Sequence, residues 1–378
     1  MKAFRLLIAV AVALCVFPSI ALAVDVNADK DVASDTTVTA QQKLNADGIT
    51  LTNSGTIEYN GNTAVQTTTN KSGIKIINNA GGIIANTGGT DKNYAIKGQL
   101  QTSLTIINSG TIESGAIYGI DIIKSTGTTI TNNAGGIITA TRQAIYGSNA
   151  LTSNTTITNS GKIFVTDQKM AINFSSATGT TITNNAGGEI YHTVSDTSPV
   201  IQVGDDSSIT NSGQIRNDSF SAEKSIKFAG DNSTLTNNSG GSITGYIMNS
   251  GNDGITVTNY GTISSSDNNG YTLGDHPVAG STNTIVTNHA GGLILNTSTG
   301  DVVRLVTSGT LTNSGTIQNT NSTSNNAIRL DANNNTVILK DEGKVIGLIT
   351  ADAGTTGNKL QFDHGFGRTY FYETSGDF

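Results

Sequence analysis

The chain is 378 residues long, with a net charge of −7, only 13% charged residues, 44 glycines, no Trp and a single Cys. Its acidic balance excludes the basic face that nucleic-acid phosphates demand, and one cysteine excludes an internal disulfide framework, so packing and backbone pairing must hold the fold. So few charges beside so much Gly, Asn, Ser and Thr would mean disorder if the apolar residues were scattered, but they recur at fixed intervals.

At the N-terminus, Lys2 and Arg5 precede an apolar run from Leu6 to Phe17, and Ala21-Leu22-Ala23 supplies the small-x-small pattern of signal-peptidase cleavage. Residues 1–23 read as a signal peptide, which implies export. The run is shorter than the roughly 20 residues of a membrane span. Cys15 falls inside it, behind Leu14 where a lipoprotein signal needs a small residue. Cleavage after Ala23 leaves a cysteine-free chain and takes the net charge from −7 to −9, because both signal-peptide charges are basic. Residues 24–44 precede the first full repeat and read as an N-terminal cap region.

From 45 to 340 one phrase returns. Its marker asparagine, the Asn of T-N-S-G or T-N-N-A-G-G and their relatives, stands at Asn53, Asn78, Asn108, Asn132, Asn159, Asn184, Asn211, Asn237, Asn259, Asn288 and Asn313. A period near 25 residues is the signature of a solenoid. The short form (Asn53, Asn108, Asn159, Asn211, Asn259, Asn313) alternates without exception with the long form, NNAGG, NNSGG or NHAGG (Asn78, Asn132, Asn184, Asn237, Asn288). A branched residue follows four places after the short marker, as at Ile57 or Ile163, and six places after the long one, as at Ile84 or Ile190. The insert of two residues preserves strand parity, so Ile130, Asn132 and Ile138 share a face with branched side chains inward and threonines outward. Each marker is expected at a bend, pairing with local backbone and with the equivalent Asn one coil away, and the Gly after it is expected to supply positive φ.

A second alternating stretch follows in each coil, as in Ala144-Ile145-Tyr146, Ala171-Ile172-Asn173-Phe174, Val200-Ile201-Gln202-Val203, Ser225-Ile226-Lys227-Phe228, Val303-Arg304-Leu305 and Ala327-Ile328-Arg329-Leu330. Period-2 patterning with Thr, Ile and Val, punctuated by Gly and Asn, disfavours helix. The fold class predicted is all-β: a parallel β-helix of about 11–12 coils, a rod roughly 55 Å long at about 4.8 Å per coil, with alternating short and long corners that form a ridge along one edge. The outward positions of the second stretch, Tyr146, Asn173, Gln202, Lys227, Arg304 and Arg329, are expected to line one face and form the candidate interaction surface.

Residues 341–378 read as a C-terminal cap or junction, with Phe362, Phe366, Tyr370, Phe371, Tyr372 and Phe378 gathered at the end. The T-I-T-N-S-G-T-I phrases behind a signal peptide resemble the passenger region of Gram-negative autotransporters. Gly357-Asn358-Lys359-Leu360-Gln361-Phe362 and the stretch from Tyr370 to Phe378 are similar to that family's junction with its outer-membrane barrel. The resemblance implies a right-handed parallel β-helix exported to the cell surface or outer membrane. The expected location is the cell surface or outer membrane if the chain is joined to such a barrel, and periplasmic or extracellular otherwise.

Catalytic and metal-binding patterns are sparse. Asp205-Asp206 is an adjacent acid pair, and reads either as a solvated turn or as a general acid/base pair. His192, His276, His289 and His364 have no metal-ligand spacing, and His289 replaces the second Asn of a long phrase. No serine-nucleophile phrase, phosphate loop or calcium repeat is present, so neither cofactor nor metal is expected. Tyr118 and Tyr146 read either as an aromatic platform for carbohydrate or as ordinary strand residues. The expected function is a structural or adhesive rod without enzymatic activity, partnered by itself or by a host or abiotic surface. The alternatives are a polysaccharide-acting enzyme on the same scaffold and a truncated remnant.

Overall fold

A computed structural model describes residues 23–88, 93–167, 169–193, 197–218, 224–266, 270–275, 280–364 and 374–375. The body of the expected signal peptide, His276 and the aromatics from Phe366 onward lie outside the described residues. The described residues hold strands and no helix, and each coil gives one short strand to each of three parallel sheets. In one coil these are Thr129–Asn132 in the marker sheet, Ile137–Ala140 in the middle sheet and Gln143–Tyr146 in the third sheet. The three sheets contain 14, 13 and 15 strands respectively, giving a parallel β-solenoid of about 13 turns.

The count exceeds the eleven marker coils because a further coil lies at each end. The first contains Lys30–Val32, Thr37–Val38 and Gln42–Leu44; the last contains Thr336–Lys340, Lys344–Ile346 and Leu348–Ala351. Both lack the marker: Val32 lies in register with Asn53, and Leu339 with Asn313. An amide at the end of a buried ladder would lack a partner on one side, whereas an apolar side chain requires none.

Parity holds along the rod. In the middle sheet Ile112, Ile138, Ile163, Ile190 and Ile215 follow one another in register, each fully buried. The marker sheet stacks Ile130, Ile157, Ile182 and Ile209 in the same way. The flanking Thr129 and Thr131 are half-buried on the outer surface. A single coil cannot enclose a core, but stacked coils bury each isoleucine against the two beside it, and each full burial contributes about 2–3 kcal/mol.

At the corner between the marker and middle sheets, all eleven marker asparagines are completely buried. Asn132 shows the pattern: its Nδ2 donates to Gly136 O in its own coil at 3.1 Å, and to Asn159 Oδ1 (2.8 Å) and Lys162 O (3.2 Å) in the next. The chain of amide-to-amide bonds runs from Asn53 to Asn313.

The glycines at this corner differ in role from the expectation. In the long phrase the first glycine, such as Gly135 (φ 82°), takes the positive φ. The second, Gly136, and the short-phrase Gly161 are needed because backbone approaches too closely: a Cβ on Gly161 would lie 2.2 Å from Gly136 O. The alternation has a side-chain basis too. The second Asn of each long phrase donates to the Ser of the preceding short phrase, in the pairs Asn79–Ser54 (2.9 Å), Asn133–Ser109 (2.8 Å), Asn185–Ser160 (2.9 Å) and Asn238–Ser212 (2.9 Å). At the fifth long corner both partners change together. Tyr260 replaces the Ser, His289 replaces the Asn, and their rings stack with centroids 4.1 Å apart.

Candidate functional site

The third sheet carries the outward column that the alternating second stretch predicts. Its members follow in register from Asp25 through Lys43, Gln66, Lys97 and Asp121 to Tyr146, Asn173, Gln202 and Lys227, and then through Met248 and Gly274 to Arg304 and Arg329. All six candidate residues thus share one column, but not one degree of access. Asn173 and Gln202 are only 7% and 8% exposed. With strands about 4.8 Å apart, a short amide is overtopped by a neighbouring Tyr or Lys, and Asn173 also folds back to accept from the Ser175 N–H at 3.1 Å.

Arg304 and Arg329 occupy an ion-pair cluster. Arg304 pairs with Asp331, and Arg329 reaches Asp331 at 2.8 Å, Asp352 at 3.0 Å and Asp301 at 3.8 Å. Burial pushes the Asp301 carboxyl above its ordinary range, while hydrogen bonding to Asp352 raises the Arg329 guanidinium. The two arginines therefore neutralise an acidic patch, of which Asp301 is buried, as well as facing outward. Lys227 has no ion pair among the described residues.

Toward the N-terminal end the face becomes aromatic. The Tyr94 and Tyr118 rings stack at 5.3 Å and 8°, and Tyr118 and Tyr146 at 4.8 Å and 20°, close to the strand spacing itself. Burial, then the neighbouring Tyr146 and Asp121, pushes the Tyr118 phenol to about 12. Beside the stack lies Asp121, almost fully buried, accepting from the Ile123 N–H (3.0 Å) and from the Gln99 amide (2.7 Å). Burial raises its carboxyl to about 6, against the lowering effects of these two bonds and of Lys97.

Next to Tyr94 the surface opens into a cleft of about 380 Å³, lined by Gln41, Lys43, Tyr59, Gly61, Asn62, Thr63, Gln66, Tyr94 and Lys97. Gln41 Nε2 donates to Gln66 Oε1 at 3.0 Å, and the Lys97 ammonium lies 5.1 Å from the Tyr94 ring centroid. Sequence reading reached Tyr118 and Tyr146 but missed this cleft. Its one local signal was Tyr94-Ala95-Ile96-Lys97, which alternates like the second stretches singled out elsewhere.

The remaining candidates have structural roles. Asp205 lies at the corner between the third and marker sheets, where its Oδ1 accepts from the Asp231 N–H at 2.9 Å. Asp231 caps Asp253 in the same way, and Asp253 caps Thr282, each at 2.9 Å. Asp206, at φ 51°, provides the left-handed residue of that turn. This row of aspartates fixes coil corners, which accounts for the Asp205-Asp206 pair. His192 is buried in the column that continues from Val165, and His364 contacts Asp341 O at 2.9 Å. Among the described residues no three His, Cys, Asp or Glu side chains gather to hold a metal ion. No protein-family model matches the chain, and no curated protein is similar to it in sequence.

Proposed function

We propose that the chain is an exported, surface-displayed rod of the autotransporter-passenger type, which adheres to other copies of itself or to a host or abiotic surface through the outer face of its third sheet. The observation behind this reading is the register of the third sheet, which stacks one column along the rod with Lys43, Gln66, Lys97, Tyr146 and Lys227 reaching its surface. A solenoid contacts partners through equivalent positions repeated coil after coil, and many weak contacts along a line sum to useful adhesion. The signal-like residues 1–23 and the repeat phrases support the export half of the reading. The enzyme alternative gains nothing from Asp205 and Asp206, since their geometry is that of a corner turn.

The test uses beads coated with the full chain. Clumping should depend on protein density, and should fall when Tyr146→Ala and Lys227→Glu are introduced together. Arg304 and Arg329 are unsuitable for this purpose, because reversing either charge would set it against the partly buried Asp331. Clumping that is absent, or unchanged in the double variant, would sink self-association through this face.

A further inference from the structure

The cleft beside Tyr94 has a character unlike the rest of the molecule. The chain is acidic overall, yet among the described residues the cleft lining contains two lysines and no carboxylate. Lys43 and Lys97 flank Gln66 in the outward column, two strand spacings or about 9.6 Å apart at the backbone. Neither has an ion-pair partner among the described residues. Their flexible four-carbon stems allow both ammonium groups to reach one anion seated over Gln66.

Two aromatic rings complete the cleft. Tyr118 covers one face of Tyr94; on the other side the in-register neighbour is Thr63, small enough to leave that ring accessible from the cleft. The Tyr59 ring rests against Gly61, where a Cβ would come within 2.3 Å of the ring, so glycine makes room for the second wall. Tyrosine walls joined by side-chain amides suit a ring that is apolar on its faces and hydroxylated at its rim. The volume of about 380 Å³ is at the small end for ligand pockets, enough for one or two sugar units.

We propose that this cleft binds an acidic sugar unit, a hexuronate of a polysaccharide, with its ring between Tyr59 and Tyr94 and its carboxylate between Lys43 and Lys97. Lys97 rests over the Tyr94 ring; a carboxylate is the stronger partner and draws it away. The inference deepens the adhesive reading by naming a ligand class, and rests on that reading only for its place at a cell surface.

The experiment is calorimetric titration of the full chain with a galacturonate trisaccharide, beside a neutral glucose trisaccharide of equal length and inorganic sulfate. The expected result is saturable binding of the uronate alone, weakening at least tenfold between low and high salt. Lys43→Gln with Lys97→Gln should weaken binding at least tenfold, Tyr94→Ala at least fivefold, and Lys75→Gln on the marker sheet should leave it unchanged. Melting curves of each variant establish that it is folded, and the salt series on the unaltered chain does not depend on any variant. Equal binding of the neutral trisaccharide, sulfate binding as tight as uronate binding, absence of uronate binding, or an unaffected double-lysine variant would each overturn the proposal. Bead clumping requires no glycan, so its failure and the failure of uronate binding are separate results.

Discussion

Tyr260 and His289 show at single-residue scale that this fold selects pairs. Four long corners join Asn to Ser across coils, and the fifth joins two rings in the same two places. Tyr260→Ser alone leaves the imidazole without its stacking partner, and His289→Asn alone leaves the phenol over an amide. The double change restores the Ser/Asn pair of the other corners. We expect each single variant to melt below the double variant, with a coupling of about 0.5–1.5 kcal/mol in a denaturant double-mutant cycle; simple additivity would show that the rings meet without mutual stabilisation. Asp121 supplies the second prediction at this scale. Its folded carboxyl is raised by burial to about 6, above the value of about 4 in an unfolded chain. The folded state therefore binds the proton more tightly: the penalty is absent below pH 4, grows between pH 4 and 6, and is complete above pH 6. Asp121→Asn should match the unaltered protein near pH 4 and exceed it near pH 7 by on the order of 2–3 kcal/mol. A stability difference independent of pH, measured by denaturant titration across this range, would contradict the assignment.

At the scale of an element, the asparagine ladder is a buried polar structure in which interior and terminal rungs carry different energies. Asn184 receives from Asn159 and donates to Asn211, both at 2.8 Å. Asn53 donates to Asn78 at 2.8 Å but has no donor to its own Oδ1, because Val32 precedes it in the column. Asn184→Val removes bonds on both sides and leaves the buried Asn211 Oδ1 without its donor while Asn159 Nδ2 keeps Gly161 O and Glu189 O, whereas Asn53→Val moves the apolar end of the ladder inward by one rung. Each unpaired buried group costs about 1–3 kcal/mol, so Asn184→Val should be the more destabilising by about that amount. Equal losses in urea denaturation would mean that the ladder bonds are energetically idle. The ladder as an element was legible in the phrase itself, since an Asn that returns in every coil on the inward face of a strand has few other uses. Its apolar termini were not legible, because Val32 and Leu339 belong to no recurring phrase and only the register of adjacent strands assigns them to the column.

For the whole molecule, the pairing of short with long corners makes the two-coil unit the natural repeat. Deleting residues 159–210 brings the long corner at Asn132 next to the short corner at Asn211, so Ser212 still meets Asn238 and the alternation survives. Deleting 159–183 instead brings the long corner at Asn184 against that at Asn132, and Asn185 loses Ser160. The first rod should fold and melt cooperatively within a few degrees of the full chain, and the second should melt distinctly lower or aggregate. Identical melting of the two shortened rods would remove any structural meaning from the alternation. The far end of the rod presents Phe362 at 53% exposure in register with the buried Leu339. The aromatics expected to close that end, Phe366 to Phe378, lie outside the described residues.

Sequence alone determined the architecture, because a period of about 25 residues, period-2 alternation within it and a parity-preserving insert are local facts that stacking merely repeats. It also grouped Tyr146, Asn173, Gln202, Lys227, Arg304 and Arg329, which strand register places in one column of the third sheet, since parity decides which side chains point away from the core. What it left undecided was which of those side chains reach solvent and which neighbours they meet. Asn173 is overtopped, Arg329 is held by three aspartates, and Lys43, Gln66 and Lys97 become neighbours across coils of unequal length. Contacts between coils depend on register across corners whose lengths vary from coil to coil, and that register is fixed only when every buried isoleucine and asparagine has found its place in its column.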